Sequence, residues 1–189
     1  MHSKEFIFIH INKTGGSSIE QALNLPLDHR TALEKIAEVG RDSWDRLLTF
    51  TVVRNPWDKV ASHYHYRVET NQTGLGDQHI DFNAWVKRTY GVKDQYYYDK
   101  PRMFMPQIDW IADEYGRILV DEIIRFENLK SEFDRVLQKL GISATLPHVK
   151  KSDRGNYWEY YDSEAIDIVH KWFERDIELF GYQFQESGI

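Results

Sequence analysis

A chain of 189 residues can bury roughly 70% of the surface its unfolded form exposes, enough for one domain with a real core. Hydrophobic residues at 41% and charged residues at 29% exclude a disordered class. A net charge of −6 argues against broad binding to nucleic acid or anionic membrane, and the absence of cysteine rules out disulfides, thiol catalysis and cysteine metal sites. The N-terminus lacks the basic, apolar and small-residue order of a signal peptide, and no apolar run approaches the roughly 20 residues of a spanning helix. The expectation is a soluble, cytoplasmic protein with one domain over residues 1–189.

In chain order, Glu5 to Ile11 reads as a short strand, followed by a loop and then a helix from Gly16 with apolar residues at Ile19, Ala22 and Leu23. Thr31 and Glu34 form a capping-box pattern that opens a second helix, with Leu33, Ile36 and Ala37 on one face and Gly40 at its end. Leu47 to Val53 is a nearly continuous apolar run, as expected for a parallel strand covered on both faces. Arg54 sits at its carboxyl end, and Asn55 and Pro56 then cap and start a helix toward Val68. Asp81 caps a helix through Tyr90, Tyr96 to Met105 looks irregular, and Gln107 to Asp113 suits a short helix.

Arg117 to Phe126 offers a third strand or two short ones, Leu129 to Leu140 an amphipathic helix stopped by Gly141, and Ser143 to Tyr157 a polar surface loop. Ser163 to Phe173 resumes helical spacing. Strands alternating with helices predict an α/β fold, a small parallel sheet flanked by helices, whose ligands sit at the carboxyl ends of the strands.

The candidate chemistry lies at those ends. Asn12 to Ser18 joins a strand to a helix, where backbone N–H groups and the helix dipole favour a phosphate. Gly15 and Gly16 let the backbone approach an anion, Thr14, Ser17 and Ser18 add hydroxyls, and Lys13 adds a point charge. A Walker A loop places its lysine after the second glycine, whereas Lys13 precedes both, so the nucleotide triphosphatase order fails. Arg54 follows the second strand and Ser62 lies eight residues later on the next helix, so a guanidinium fork and a hydroxyl could close on one phosphate. His63 and His65, two apart on a helix, point to different faces, and no metal site is expected from them. His10, alternating within a strand, reads as buried and hydrogen-bonded.

Together these segments resemble the sulfotransferases that use 3′-phosphoadenosine 5′-phosphosulfate (PAPS), especially the branch with carbohydrate sulfotransferases and bacterial relatives. Phe8 to Ser18 is similar to that family's 5′-phosphosulfate loop, and Phe50 to Tyr64 to its 3′-phosphate segment. Gln107 to Trp110, Arg125 to Leu129 and Asp176 to Tyr182 extend the likeness over nearly the whole chain, with Asn12 standing where the family usually has proline. The resemblance implies a P-loop-like nucleotide fold and in-line transfer of a sulfuryl group to a hydroxyl acceptor, a small molecule or a glycan, with no metal, nucleic-acid or membrane partner.

By the same resemblance Lys13 contacts the bridging oxygen, Thr14, Gly15, Gly16, Ser17 and Ser18 hold the 5′-phosphate, and Arg54 and Ser62 grip the 3′-phosphate. Lys151 and Arg154, in a basic late loop, close near the 3′ side, and 3′-phosphoadenosine 5′-phosphate (PAP) is the product. His29 is the first candidate for the base, because an imidazole titrates near neutrality, with Glu20 as runner-up. Two alternatives stay open: a small-molecule kinase-like nucleotide enzyme, and a non-catalytic nucleotide or glycan-binding module of the same fold. The acceptor would be chosen by loops such as Glu69 to His79 and Tyr90 to Met105.

Overall fold

A computed structural model of the chain describes residues 5–78, 80–147 and 155–184. Three strands and eleven helices are named in chain order: β1 (Phe6–Ile9), α1 (Gly16–Leu23), α2 (Ala32–Val39), α3 (Arg41–Trp44), β2 (Leu48–Val53), α4 (Pro56–Glu69), α5 (Leu75–Gln78), α6 (Phe82–Val86), α7 (Pro101–Phe104), α8 (Ile108–Ile111), β3 (Glu122–Arg125), α9 (Leu129–Leu140), α10 (Ser163–Trp172) and α11 (Glu174–Phe180). They group into two compact units, each drawn from two stretches of chain: Met1–Arg54 with Gln107–Lys150, and Asn55–Pro106 with Lys151–Ile189.

The first unit holds the sheet, three parallel strands in the order β1-β2-β3. This is the α/β class with a small parallel sheet that the strand–helix alternation predicts. Central β2 is buried on both faces from Thr49 to Val53, which is why its sequence is continuously apolar apart from two threonines. Those threonines are satisfied locally: the Thr51 hydroxyl donates to the Ile9 carbonyl at 2.8 Å, and the Thr49 hydroxyl donates to Asp121 Oδ2 at 2.9 Å. Phe8, Phe50, Val52 and Ile124 supply one sheet face, covered by Ile19 of α1 and by Phe133, Val136, Leu137 and Leu140 of α9. Gly141 ends α9 at φ 68, a left-handed conformation that suits glycine. Both bonds of the Thr31–Glu34 capping box form at the start of α2. Leu33 is 48% exposed, so the apolar face of α2 is narrower than its spacing implies.

The second unit is built around α4, where Asn55 accepts from the Trp57 amide and Pro56 opens the first turn, as the sequence predicts. The Asp81-capped helix starts as expected but is only five residues long as an α-helix, giving way to a single π turn at Lys87–Gly91. Most aromatics that could have lined a cleft are core residues: Trp57, Trp85, Tyr90, Tyr97, Phe104 and Phe173 pack in one cluster. Tyr96 is the exception within the Tyr96-Tyr97-Tyr98 run, at 49% exposed. His63 packs against Trp85 and Phe104, whereas His65 stacks toward Tyr160. Among the described residues no helix is long and apolar enough to cross a membrane.

Arg67 of α4 is one of the second unit's buried charged residues, with Lys59 and Asp176. Its guanidinium donates to Asp99 Oδ1 at 2.8 Å and to the Thr73 hydroxyl at 3.2 Å, and it stands over the Phe104 ring. Removing one partner of a buried pair leaves the other charge desolvated without compensation. Asp99→Ala is therefore expected to lower unfolding free energy by about 3 kcal/mol in urea titration, towards the lower end for a broken buried pair because Asp99 is partly exposed. A loss below ~0.5 kcal/mol, typical of surface substitutions, would show that Arg67 does not depend on it.

Candidate functional site

Every predicted anion ligand that falls in the first unit lies at or just beyond the carboxyl end of a strand. After β1 the chain turns at Lys13, whose φ of 64 is left-handed, and at Gly15, whose φ of 88 suits glycine. A non-glycine residue in that region carries about 1 kcal/mol of strain. The Thr14 hydroxyl turns inward and donates to the Ile11 carbonyl at 2.8 Å, so it braces the loop, while Ser17 is exposed and Ser18 half-buried. Thr31, Asn55, Asp81 and Asp162 cap α2, α4, α6 and α10 with their side chains, whereas α1, whose cap residue is Gly15, has no side-chain cap, as is also true of α3, α7, α8, α9 and α11. In its first turn the Ser18 amide donates to the Gly15 carbonyl at 3.1 Å, and the positive end of the helix dipole lies at this loop.

Arg54, at the end of β2, binds that loop to the rest of the sheet. Its backbone is clamped by Gln107: the Arg54 amide donates to Gln107 Oε1 at 2.8 Å, and Gln107 Nε2 donates to the Arg54 carbonyl at 2.9 Å. The guanidinium Nη1 donates to the Lys13 carbonyl at 3.0 Å, and its carbon stands 3.9 Å from the centroid of the Phe126 ring, just beyond β3. One buried arginine therefore holds the strained residue of the β1–α1 loop and rests on the end of the third strand.

A second cluster forms where β1 meets α1. Period-two alternation puts His10 on the same face as Phe8, and the two rings stack with centroids 5.8 Å apart. Gly16 and Glu20, one helical turn apart on α1, both face the His10 ring. A Cβ on Gly16 would lie 2.1 Å from His10 Cδ2, and Glu20 Oε1 accepts from His10 Nδ1 at 2.7 Å. Burial is the largest influence on His10 and lowers its pKa despite the opposing pull of Glu20. In this contact the carboxyl oxygen of Glu20 accepts, so the proton lies on His10 Nδ1. Glu20 Oε1 also accepts the Asp28 amide at 3.2 Å, and His29 Nδ1 lies 3.0 Å from the His10 carbonyl. The His29 and His10 ring centroids are 4.3 Å apart.

The segment carrying His29 is fixed from its other side as well. Asp28 is chelated by Arg30 through Nε and Nη2 and bound by Lys35 at 2.7 Å, and these partners, Arg30 first, hold its carboxyl well below the usual carboxylate range. Structure thus brings together Lys13, Gly15 and Arg54, and separately Gly16, Glu20 and His29. Ser62 is half-buried on α4 in the second unit, and Lys151 and Arg154 lie outside the described residues. Among the described residues no group of three or more His, Asp or Glu is arranged to hold a metal ion.

A model of the sulfotransferase family matches residues 2–183. The chain belongs to the sulfotransferase family. A protein of Archaeoglobus fulgidus, described as uncharacterized, is 31% identical over 108 residues, or 57% of this chain and 79% of that protein. Among solved structures, a sulfotransferase from Alicyclobacillus acidocaldarius aligns over 97% of this chain and 98% of its own, with a TM-score of 0.47 and 14% identity.

Gln107 and Phe126 lie in segments that carry the family likeness, but the sequence assigns neither of them a contact with Arg54. Gln107 acts from 53 positions away, and Phe126 is an apolar ring. The glycines carry a packing role that motif reasoning assigns to anion approach: a Cβ on Gly15 would meet Phe126 at 3.0 Å, and Gly16 makes room for His10. Gly16→Ala should cost roughly 1–3 kcal/mol through overpacking against a buried ring. In a His10→Ala background the same change should cost less than ~1 kcal/mol, a coupling that a double-mutant cycle measures by chemical denaturation. Strict additivity would mean that the His10 ring is not what requires glycine there.

Proposed function

We propose that this sulfotransferase-family protein transfers the sulfuryl group of PAPS to a hydroxyl acceptor by in-line displacement, with His29 as general base and no covalent enzyme intermediate. Carbohydrate is the acceptor class that the sequence resemblance favours. The observation that carries the reading is the union of the β1–α1 loop with Arg54: an uncapped helix N-terminus, a lysine in the turn before it, and a buried guanidinium bound to that lysine's own carbonyl.

In this reading the amides at the start of α1 receive the 5′-phosphate and Arg54 receives the 3′-phosphate. The role of Ser62 rests on sequence resemblance. As the acceptor hydroxyl attacks sulfur, its O–S bond forms while the bond from sulfur to the bridging phosphate oxygen breaks. The electron pair of that broken bond leaves on PAP, where the Lys13 ammonium offsets the developing charge. The hydroxyl proton passes to His29 Nε2. Catalysis of this kind comes from positioning and from charge placed where it develops, as in phosphoryl transfer.

Two predictions separate this reading from its alternatives. Calorimetry should detect PAP binding without metal; binding of ATP with Mg²⁺ and none of PAP at millimolar concentration would favour a kinase-like enzyme instead. Lys13→Ala should lower kcat by about 100- to 1,000-fold, the usual effect of losing one charge-stabilising donor, while changing PAP affinity far less. Equal losses in kcat and affinity would place Lys13 in ground-state binding. PAP binding with no transfer to any hydroxyl acceptor would indicate a binding module.

A further inference from the structure

The buried polar pair beside His29 is not among the proposed phosphate ligands. Glu20, on α1, and His10, on the strand face shared with Phe8, are both almost fully buried, where apolar side chains would avoid the desolvation cost of an imidazole and a carboxylate. Their bonds lead to one place. Glu20 Oε1 holds the His10 ring at 2.7 Å and the backbone amide of Asp28, the residue before His29, at 3.2 Å. The His10 carbonyl meets His29 Nδ1 at 3.0 Å. A carbonyl oxygen can only accept, so this contact requires the proton on His29 Nδ1 and leaves the ring's lone pair on Nε2.

We propose that Glu20, acting through His10 and the Asp28 amide, is a positioning residue that holds His29 as its Nδ1–H tautomer with Nε2 as the basic atom. The catalytic meaning of this rests on the proposed reading of His29 as the base, whereas the tautomer itself does not. Glu20, the runner-up base from sequence, thereby takes another role: its Oε1 is committed to two donors and it is buried. The arrangement has the logic of metal-binding histidines whose second nitrogen is oriented by a carbonyl or carboxylate, where loss of the outer partner typically costs about 10- to 100-fold in affinity or activity. Asp28, locked by Arg30 and Lys35, and the capping box at Thr31 keep the segment from swinging away when the ring changes charge.

Long-range ¹H–¹⁵N NMR of the labelled full chain at pH 8 tests this without any substrate. Wild-type His29 should show a protonated Nδ1 and a lone-pair-bearing Nε2 as one species. Glu20→Ala should give a mixture of tautomers, and Glu20→Gln, whose amide oxygen can still accept both bonds, should restore the single species. A wild-type His29 protonated on Nε2 would overturn the proposal, and so would an unmixed Nδ1–H signal in Glu20→Ala. Because the wild-type spectrum alone can overturn it, the test survives a Glu20→Ala variant that fails to fold. Absence of PAP binding would sink the donor reading and leave the tautomer result standing. Unchanged turnover in His29→Ala would remove the base and likewise leave the hydrogen-bond assignment in place.

Discussion

The first unit depends on how Arg54 is held. Gln107 fixes its backbone from both sides, so the side chain leaves β2 in one direction and reaches the Lys13 carbonyl while lying over Phe126. Through this one residue the carboxyl ends of all three strands are connected. A lysine with a left-handed backbone is unfavourable by itself, and a charge-assisted bond to its carbonyl is strong enough to offset the strain. An anion bound at this point would meet a loop already in shape, which reduces the ordering cost of binding.

The same end of the sheet divides into two polar groups that share the β1–α1 connection. Arg54 and Lys13 concentrate positive charge at one, and His10, Glu20 and His29 build a hydrogen-bonded network at the other. Gly16 belongs to both, since it stands in the first turn of α1 and leaves the space that the His10 ring fills. In the proposed transfer the cationic group would face the leaving nucleotide and the histidine cluster the acceptor hydroxyl.

Local features were legible in the sequence because their causes are local. The apolar run of β2, the Thr31–Glu34 capping box, the Asn55–Pro56 start of α4 and the glycine stop of α9 all depend on residues a few positions apart. The two-unit grouping was not readable, because each unit combines distant stretches of chain. The π turn at Lys87–Gly91 and the short α11, whose buried apolar side chains are only Ile177 and Phe180, leave too little periodicity to detect. Lys13, Arg54 and His29 were legible as candidates, but not the contacts that hold them. The Gln107 clamp and the Glu20–His10 pair arise when the fold brings chain segments together, although the strand parity of His10 and the one-turn spacing of Gly16 and Glu20 carry a faint trace of the latter.

If this strand-end site moves a sulfuryl group, the sulfur atom itself must change partners. With PAPS labelled in its sulfur, incubated with a panel of hydroxyl acceptors that includes oligosaccharides, the label should leave the nucleotide and appear as a sulfate ester on an acceptor, one PAP per ester formed. Retention of the label on PAPS with every acceptor, together with transfer of a γ-phosphate from ATP to one of them, would contradict the account.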